Sequence, residues 1–226
     1  AMPSKKLMMT QLETPVEVDV NGDGNLELTE ALERMPVVAI LTGLPPARAA
    51  EVGRALVEAG VNIIEVPLRG QAEALVLKSI AALVAAVGDR ALVGAGTVLT
   101  VEQVANVAAT GAKLIVSPNL DAAVIRATKE AGLLSLPGVY TPTEALLAID
   151  AGADALKLFP TDGSHPKMLK AMLAILPAGV PVLAVGGVDA TNVHAWMAAG
   201  AKGIGVGGSL FKPNMETAVV SAKAGE

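Results

Sequence analysis

Eight short apolar runs, separated by Ala-rich stretches of helical spacing, dominate the chain from residue 37 onward. The runs are "VVAILTG" (37–43), "IIEVPL" (63–68), "LVGAGTV" (92–98), "LIVSPN" (114–119), "LLSLPGV" (133–139), "ALKLFP" (155–160), "PVLAVGG" (181–187) and "GIGVGGS" (203–209). Strands that are apolar at nearly every position are buried on both faces, as in parallel sheets covered by helices. Eight such units predict an α/β fold, a (β/α)8 TIM barrel forming a single domain over residues 28–226. An open doubly wound sheet is the alternative.

Composition narrows the classes of function. The formal net charge is −5, aromatic residues make up 2% of the chain, and no block of basic residues occurs, so we expect no nucleic-acid partner. The chain has no Cys, which excludes disulfides and zinc-thiolate sites. It has no 18-residue apolar stretch, so we expect no membrane partner and a cytoplasmic location.

Two charged residues are predicted to face the interior of the barrel. Side chains alternate along a strand, and the apolar neighbours of Glu65 and Lys157 suit the outer face, so both charged side chains should point inward. The same alternation predicts that Val93, Ala95 and Thr97 point inward from the third strand. Chemistry in a barrel is expected at the C-terminal ends of the strands.

A buried Lys and Glu together permit two interpretations. The pair could be purely structural, although desolvation often cancels the attraction within such pairs. Alternatively, burial in an apolar site favours the neutral amine of a lysine, which can form a Schiff base with a ketone. Glu65 beside it could then transfer protons during formation of the imine and at the adjacent carbon.

Seven motifs in these strands resemble those of a known enzyme family. They are "GVNIIEVPLR", "GAGTV", "SPNL", "PGVYTPTE", "ALKLFP", "AVGGV" and "GGSLFKP", and they cover about residues 28–215 in the expected order. The chain resembles the class I aldolases that cleave 2-dehydro-3-deoxy-6-phosphogluconate or its 6-phosphogalactonate epimer. The resemblance implies pyruvate and glyceraldehyde 3-phosphate as products, a phosphorylated sugar acid or pyruvate as the small-molecule partner, and no cofactor for catalysis.

The resemblance also implies roles for particular residues. Lys157 would form the Schiff base, Glu65 would transfer protons, and Arg69 and Thr97 would contact the pyruvyl carboxylate. Further substrate contacts would come from Pro118, Phe159, Gly186, Gly187, Gly208 and Ser209, the last four at the phosphate. Glycines suit that role because backbone N–H groups can approach an anion closely only where side chains are minimal.

The family further implies a homo-oligomer, with a trimer expected and a larger assembly possible. A short apolar run within "RGQAEALVLKSIAALV" is consistent with a subunit contact. A functional alternative follows from this: a catalytically weak or silent barrel that serves as an oligomeric assembly scaffold, of natural or engineered origin.

Four positions depart from the family pattern or mix its branches. Many relatives carry an arginine where this chain has Thr42, which would remove one anion contact. Pro67 is similar to the phosphogalactonate branch, whereas Arg69 is similar to the phosphogluconate branch. Asp162 follows "KLFP", where its negative charge would oppose a phosphate.

Residues 1–27 are interpreted as an N-terminal extension that carries most of an EF-hand-like loop over residues 19–30. Its spacing matches a calcium loop, with Gly24 at the sixth position and predicted ligands Asp19, Asn21, Asp23, Asn25 and Glu30. Pro15 argues against the entering helix of a complete EF-hand. A polar hairpin around "NGDG" is therefore the alternative to a structural, non-catalytic calcium site.

Overall fold

A computed structural model describes residues 28–225. Within this part of the chain there are nine strands, which are β1 (Val37–Ile40), β2 (Ile63–Pro67), β3 (Leu92–Gly96), β4 (Leu114–Val116), β5 (Leu134–Leu136), β6 (Gly138–Val139), β7 (Leu156–Leu158), β8 (Val182–Val185) and β9 (Gly203–Val206). The same residues form nine helices, which are α1 (Leu28–Arg34), α2 (Pro46–Glu58), α3 (Glu73–Val87), α4 (Val101–Ala108), α5 (Ala122–Glu130), α6 (Pro142–Asp150), α7 (Pro166–Leu173), α8 (Val193–Ala198) and α9 (Thr217–Ala224). No helix among them is long and apolar enough to cross a membrane.

The strands form one parallel sheet in the order β5-β4-β3-β2-β1-β9-β8-β7-β6. Its two ends, β5 and β6, are halves of the fifth predicted run, separated only by Pro137. Proline has no N–H to donate to a ladder, which explains the break at this residue. The chain therefore passes directly from one end of the sheet to the other and closes it. The predicted TIM barrel is confirmed, with its fifth strand in two pieces.

Alternation along the strands separates an interior layer from an exterior one. Ile63 belongs to the interior cluster, together with Val38, Leu92, Leu114, Leu136 and Leu183. Ile64 and Val66 instead pack outward with residues of α2 and α3. The same separation holds for β7, where Leu156 and Leu158 pack with the outer helices.

The predicted orientation of β3 is wrong for two residues. Val93 and Ala95 are buried against the outer helices, and the inward positions are Leu92, Gly94 and Gly96. Thr97 nevertheless reaches the interior of the barrel mouth, because its φ of +56° lies in the left-handed region and breaks the alternation. The glycines face inward where neighbouring strands leave no room for a side chain. A Cβ on Gly94, for example, would overlap the backbone oxygen of Leu114.

Helix α1 closes the N-terminal end of the barrel. Leu28, Ala31 and Leu32 are buried within the interior cluster. Gly203 permits this contact, since a Cβ there would come within 2.9 Å of Leu32 Cδ2. The interior is thereby covered at one end and accessible from the C-terminal ends of the strands.

The predicted calcium loop lies almost entirely outside the described residues. Asp19, Asn21, Asp23 and Asn25 fall in residues 1–27, as does the rest of the predicted N-terminal extension. Glu30 is described. It lies in α1, and its carboxylate forms an ion pair of 3.2 Å with Arg34 one turn later.

Candidate active site

A cavity of about 570 Å³ opens at the C-terminal ends of the strands. Its wall contains all ten residues predicted to act in catalysis or substrate binding, namely Glu65, Arg69, Thr97, Pro118, Lys157, Phe159, Gly186, Gly187, Gly208 and Ser209. These residues come from six different strands or the loops after them. The barrel thus brings together side chains that are as much as 144 residues apart, from Glu65 to Ser209.

The floor of the cavity holds the predicted charged pair. Lys157 Nζ lies 4.0 Å from Glu65 Oε1, and the two side chains are only 10% and 2% exposed. The ammonium group also lies 4.9 Å from the centroid of the Phe159 ring, within the range of a cation–π contact. The amine is therefore buried at the bottom of the cavity against an aromatic ring, with one carboxyl group beside it.

Burial dominates the electrostatics of Glu65. Desolvation raises the pKa of its carboxyl above the ordinary value of 4.5, and the positive charges of Lys157 and Arg69 offset only part of that rise. Its Oε2 atom is buried and has no hydrogen-bond partner among residues 28–225. A carboxyl group with a raised pKa and an oxygen that makes no hydrogen bond is suited to both donate and accept a proton.

Gly96 creates the space that Glu65 occupies. The three atoms nearest to a Cβ built on Gly96 all belong to the Glu65 carboxyl group: the Cβ would overlap Oε2 and lie 2.5 Å from Cδ and 3.0 Å from Oε1. Gly96 pairs with Pro67 in the ladder between β2 and β3, two residues beyond Glu65, so the Glu65 carboxyl group reaches diagonally over a position that has to lack a side chain. The conformation of Glu65 thus depends on a glycine of the adjacent strand.

Thr97 carries backbone strain at the cavity wall. It is the one non-glycine residue among residues 28–225 with a positive φ, and it is β-branched, which makes that conformation costly. Such strain typically amounts to about 1–3 kcal/mol and is concentrated at functional sites. The strained backbone places Thr97 in the cavity wall, directly after β3, the strand next to Glu65.

Arg69 lies beside Thr42 at the cavity mouth. Its Nη2 approaches Thr42 Oγ1 at 3.5 Å, the outer limit for a hydrogen bond, and both residues line the cavity. The guanidinium group of Arg69 therefore lies next to Thr42, the position at which many relatives were expected to carry an arginine. A positive charge is retained there, supplied by the second strand.

Two glycine-rich segments, which follow the neighbouring strands β8 and β9, form another part of the cavity wall. Gly186 and Gly187 adopt positive φ values of 112° and 62°, and the N–H groups of Gly186, Gly187 and Val188 meet no hydrogen-bond acceptor among residues 28–225. Consecutive unpaired N–H groups of this kind form concave anion-binding sites. Gly208 and Ser209 line the cavity as well, in the loop after the adjacent strand β9.

Asp162 lies directly behind the Gly186–Gly187 turn. A Cβ on Gly187 would overlap Asp162 Oδ1, and one on Gly186 would lie 2.8 Å from Asp162 Oδ2. The predicted negative charge near this segment is therefore present. The Asp162 carboxylate also leaves no room for a side chain at Gly186 or Gly187, which is a second reason for glycine there besides the approach of an anion.

Sequence reasoning missed several residues of the cavity wall. Ile40, Val185, Val188, Asp189 and Gly207 also line it. Each lies at or just after the end of a strand, so position relative to the strand ends was the available signal. No group of three or more His, Asp or Glu side chains within residues 28–225 is arranged to hold a metal ion.

Comparison with known proteins shows similarity to one family of aldolases. A family model described as "Aldolase: KDPG and KHG aldolase" matches residues 28–221. The 2-dehydro-3-deoxy-6-phosphogalactonate aldolase of Escherichia coli (strain K12) is 45% identical over 181 residues, which cover 79% of this chain and 86% of that protein.

Solved structures agree with the sequence comparison. A native KDPGal structure superposes with a TM-score of 0.80 at 41% identity, covering 85% of this chain and 92% of that one. A cube-shaped, highly porous protein cage, designed by fusing symmetric oligomeric domains, also gives a TM-score of 0.80 at 41% identity, with 84% of this chain and 69% of that chain covered.

Proposed function

The chain belongs to the KDPG and KHG aldolase family, and from this premise we propose that it cleaves a 2-dehydro-3-deoxy-6-phospho sugar acid through a Schiff base on Lys157. The products would be pyruvate and glyceraldehyde 3-phosphate. The observation that carries the proposal is the buried Lys157–Glu65 pair, 4.0 Å apart at the floor of the cavity. A structural pair alone would not require a cavity above it or an oxygen of Glu65 without a partner.

In the proposed reaction, the neutral amine of Lys157 attacks the ketone carbon of the substrate. Glu65 donates a proton to the departing hydroxyl group, which leaves as water, and the protonated imine forms. The ionised Glu65 then takes the proton from the hydroxyl group on the fourth carbon, and the bond between the third and fourth carbons breaks as its electrons move toward the imine. The aldehyde leaves, and Glu65 gives its proton to the third carbon. Water then adds to the pyruvyl imine and gives up a proton to Glu65, so that pyruvate is released and both the neutral amine and the protonated carboxyl group are restored.

The surrounding residues would bind the two ends of the substrate. Arg69 and Thr97 lie on the side of the cavity suited to the carboxylate, because Arg69 contributes the positive charge there. The unpaired N–H groups of the Gly186–Gly187 turn, together with Gly208 and Ser209, suit the phosphate. Pro118 and Phe159 would supply apolar contacts between these ends. Catalysis would need no cofactor.

We also propose the phosphogalactonate epimer as the preferred substrate and a homotrimer as the working assembly. The first rests on the 45% identity to a phosphogalactonate aldolase, and the second on the family resemblance together with a similar structure built from symmetric oligomeric domains. A cytoplasmic location remains a prediction.

The alternative function, a catalytically silent assembly scaffold, is not favoured. The relative with 45% identity is named for aldolase activity, and this chain keeps both the amine and the carboxyl group in the cavity. A scaffold would have no need of a desolvated charged pair, since such pairs contribute little net stability.

Reduction by borohydride in the presence of pyruvate tests the proposal. Wild-type protein should gain the mass of one reduced pyruvyl adduct, mapped to Lys157 by peptide analysis, and Lys157→Ala should gain none. Lys113→Ala is the matched control, because Lys113 is exposed and precedes β4 at the opposite end of the barrel. Persistent labelling of Lys157→Ala, or no labelling of the wild type, would refute the Schiff-base assignment.

A further inference from the structure

Thr161 contacts the glycine turn from outside the cavity. It is 4% exposed and is not part of the cavity wall. Its backbone N–H donates a hydrogen bond of 2.9 Å to the Val185 carbonyl, and its hydroxyl group donates to the Gly186 carbonyl. A buried hydroxyl group is thus committed to the peptide group that joins Gly186 to Gly187.

Asn192 holds the next peptide group. Its Nδ2 donates a hydrogen bond of 2.7 Å to the Gly187 carbonyl, while its Oδ1 accepts one of 3.1 Å from the Asp189 N–H. Asn192 occupies the N-cap position of α8, yet its side chain makes no capping hydrogen bond to that helix. Its amide instead spans the segment from Gly187 to Asp189, at the cost of the usual cap.

These two contacts fix the direction of two N–H groups. In a planar trans peptide the C=O and N–H groups point in opposite directions. Holding the Gly186 carbonyl toward Thr161 therefore directs the Gly187 N–H to the other side, and holding the Gly187 carbonyl toward Asn192 does the same for Val188. Gly187 and Val188 line the cavity, and their N–H groups lack acceptors among residues 28–225.

Glycine makes such restraint necessary. With positive φ values at two consecutive glycines, the turn has no Cβ to oppose rotation of the peptide groups. A rotated peptide group would present a carbonyl oxygen to an anion instead of an N–H. We propose that Thr161 and Asn192 are positioning residues that hold the Gly186–Gly187 turn in its anion-binding orientation and so set the affinity for the phosphate end of the substrate.

This inference rests on the proposed function for its substrate, so its test separates the two ends of the site. Thr161→Val keeps the side-chain shape but removes the hydroxyl group, Thr161→Ser retains a hydroxyl group, and Asn192→Asp retains an acceptor but loses the donor. Two properties are measured: binding of inorganic phosphate by calorimetry together with the KM for the phosphorylated substrate, and exchange of the pyruvate methyl protons, which involves no phosphate.

We expect the phosphate Kd and the KM to rise roughly 10-fold to 100-fold in Thr161→Val and in Asn192→Asp, as for the loss of one hydrogen bond to a charged group. Pyruvate exchange should stay within a factor of about two of wild type, because the Lys157 end is untouched. Thr161→Ser should recover most of the phosphate affinity. Thermal unfolding of each variant confirms that it is folded.

Three outcomes would overturn the inference: unchanged phosphate affinity in Thr161→Val, an equal loss of pyruvate exchange and phosphate affinity, or wild-type protein that forms the imine yet binds no phosphate. The last outcome would leave the imine chemistry intact. Conversely, phosphate binding that depends on Thr161 in a protein that forms no imine would support the positioning role and overturn the proposed reaction.

Discussion

Gly96→Ala should displace the carboxyl group of Glu65, although Glu65 itself is unchanged. Gly96 has no positive φ, so its backbone accepts alanine, and the new methyl group would meet the Glu65 carboxyl group first. Overlap with Oε2 and an approach of 2.5 Å to Cδ cannot be accommodated by shifts of a few tenths of an ångström. The carboxyl group has to move, and the free space open to it is the cavity above, away from its present place beside Lys157 Nζ.

The expected cost has two parts. Forcing a packed side chain to move for an added methyl group typically costs about 1–3 kcal/mol of unfolding free energy. Displacing a general acid-base group typically lowers the rate by about 10²-fold to 10⁴-fold. We therefore expect exchange of the pyruvate methyl protons to slow at least about 10²-fold, while borohydride still traps pyruvate on Lys157, because the amine keeps its place on β7.

A double-mutant cycle isolates the cause. Exchange is followed by NMR and stability by chemical unfolding in wild type, Gly96→Ala, Glu65→Ala and the double variant. If the methyl group acts through the carboxyl group, Gly96→Ala should cost almost nothing further in the Glu65→Ala background, giving strong coupling. If Gly96→Ala had the same cost in the wild type and in Glu65→Ala, the glycine would matter only for the backbone of β3. That result would refute the proposed clash with the Glu65 carboxyl group.

Three further predictions concern Glu65 and the N-terminal loop. Glu65→Gln should retain pyruvate binding but slow methyl exchange by roughly 10²-fold or more, and exchange at the wild-type rate would leave Glu65 only a structural part. Burial raises the pKa of Glu65 above 4.5, so its favourable contribution to stability is present below pH 4.5 and is lost as the pH rises through the folded-state pKa. Above pH 4.5, the unfolding free energy of the wild type should therefore fall relative to that of Glu65→Gln. A difference that stays constant with pH would contradict this. Calcium should bind the intact protein weakly, with a Kd of about 10⁻⁵ to 10⁻³ M, and the heat of calcium binding measured by calorimetry should be lost in Glu30→Gln. No heat with the intact protein, or equal heats with both proteins, would indicate a polar turn.

The sequence determined the barrel and its charged pair. Runs that are apolar at nearly every position required burial on both faces, and eight of them separated by helical stretches fitted few other architectures. The phase of β2 and β7 could be read because each contains one charged residue among apolar ones. A single Glu65 or Lys157 assigns both faces of its strand, since the side-chain period is two.

The tertiary structure decided what local patterns leave open. β3 carries no charge, and both of its faces are small or apolar, so alternation gave its period but not its phase, and Val93 and Ala95 were assigned to the wrong face. Position 96 needs glycine because of Glu65 on a neighbouring strand. The role inferred for Thr161 comes from its contact with Gly186, which is 25 residues away. These contacts join residues that are distant in sequence, so they exist only once the barrel has closed and brought its strand ends together.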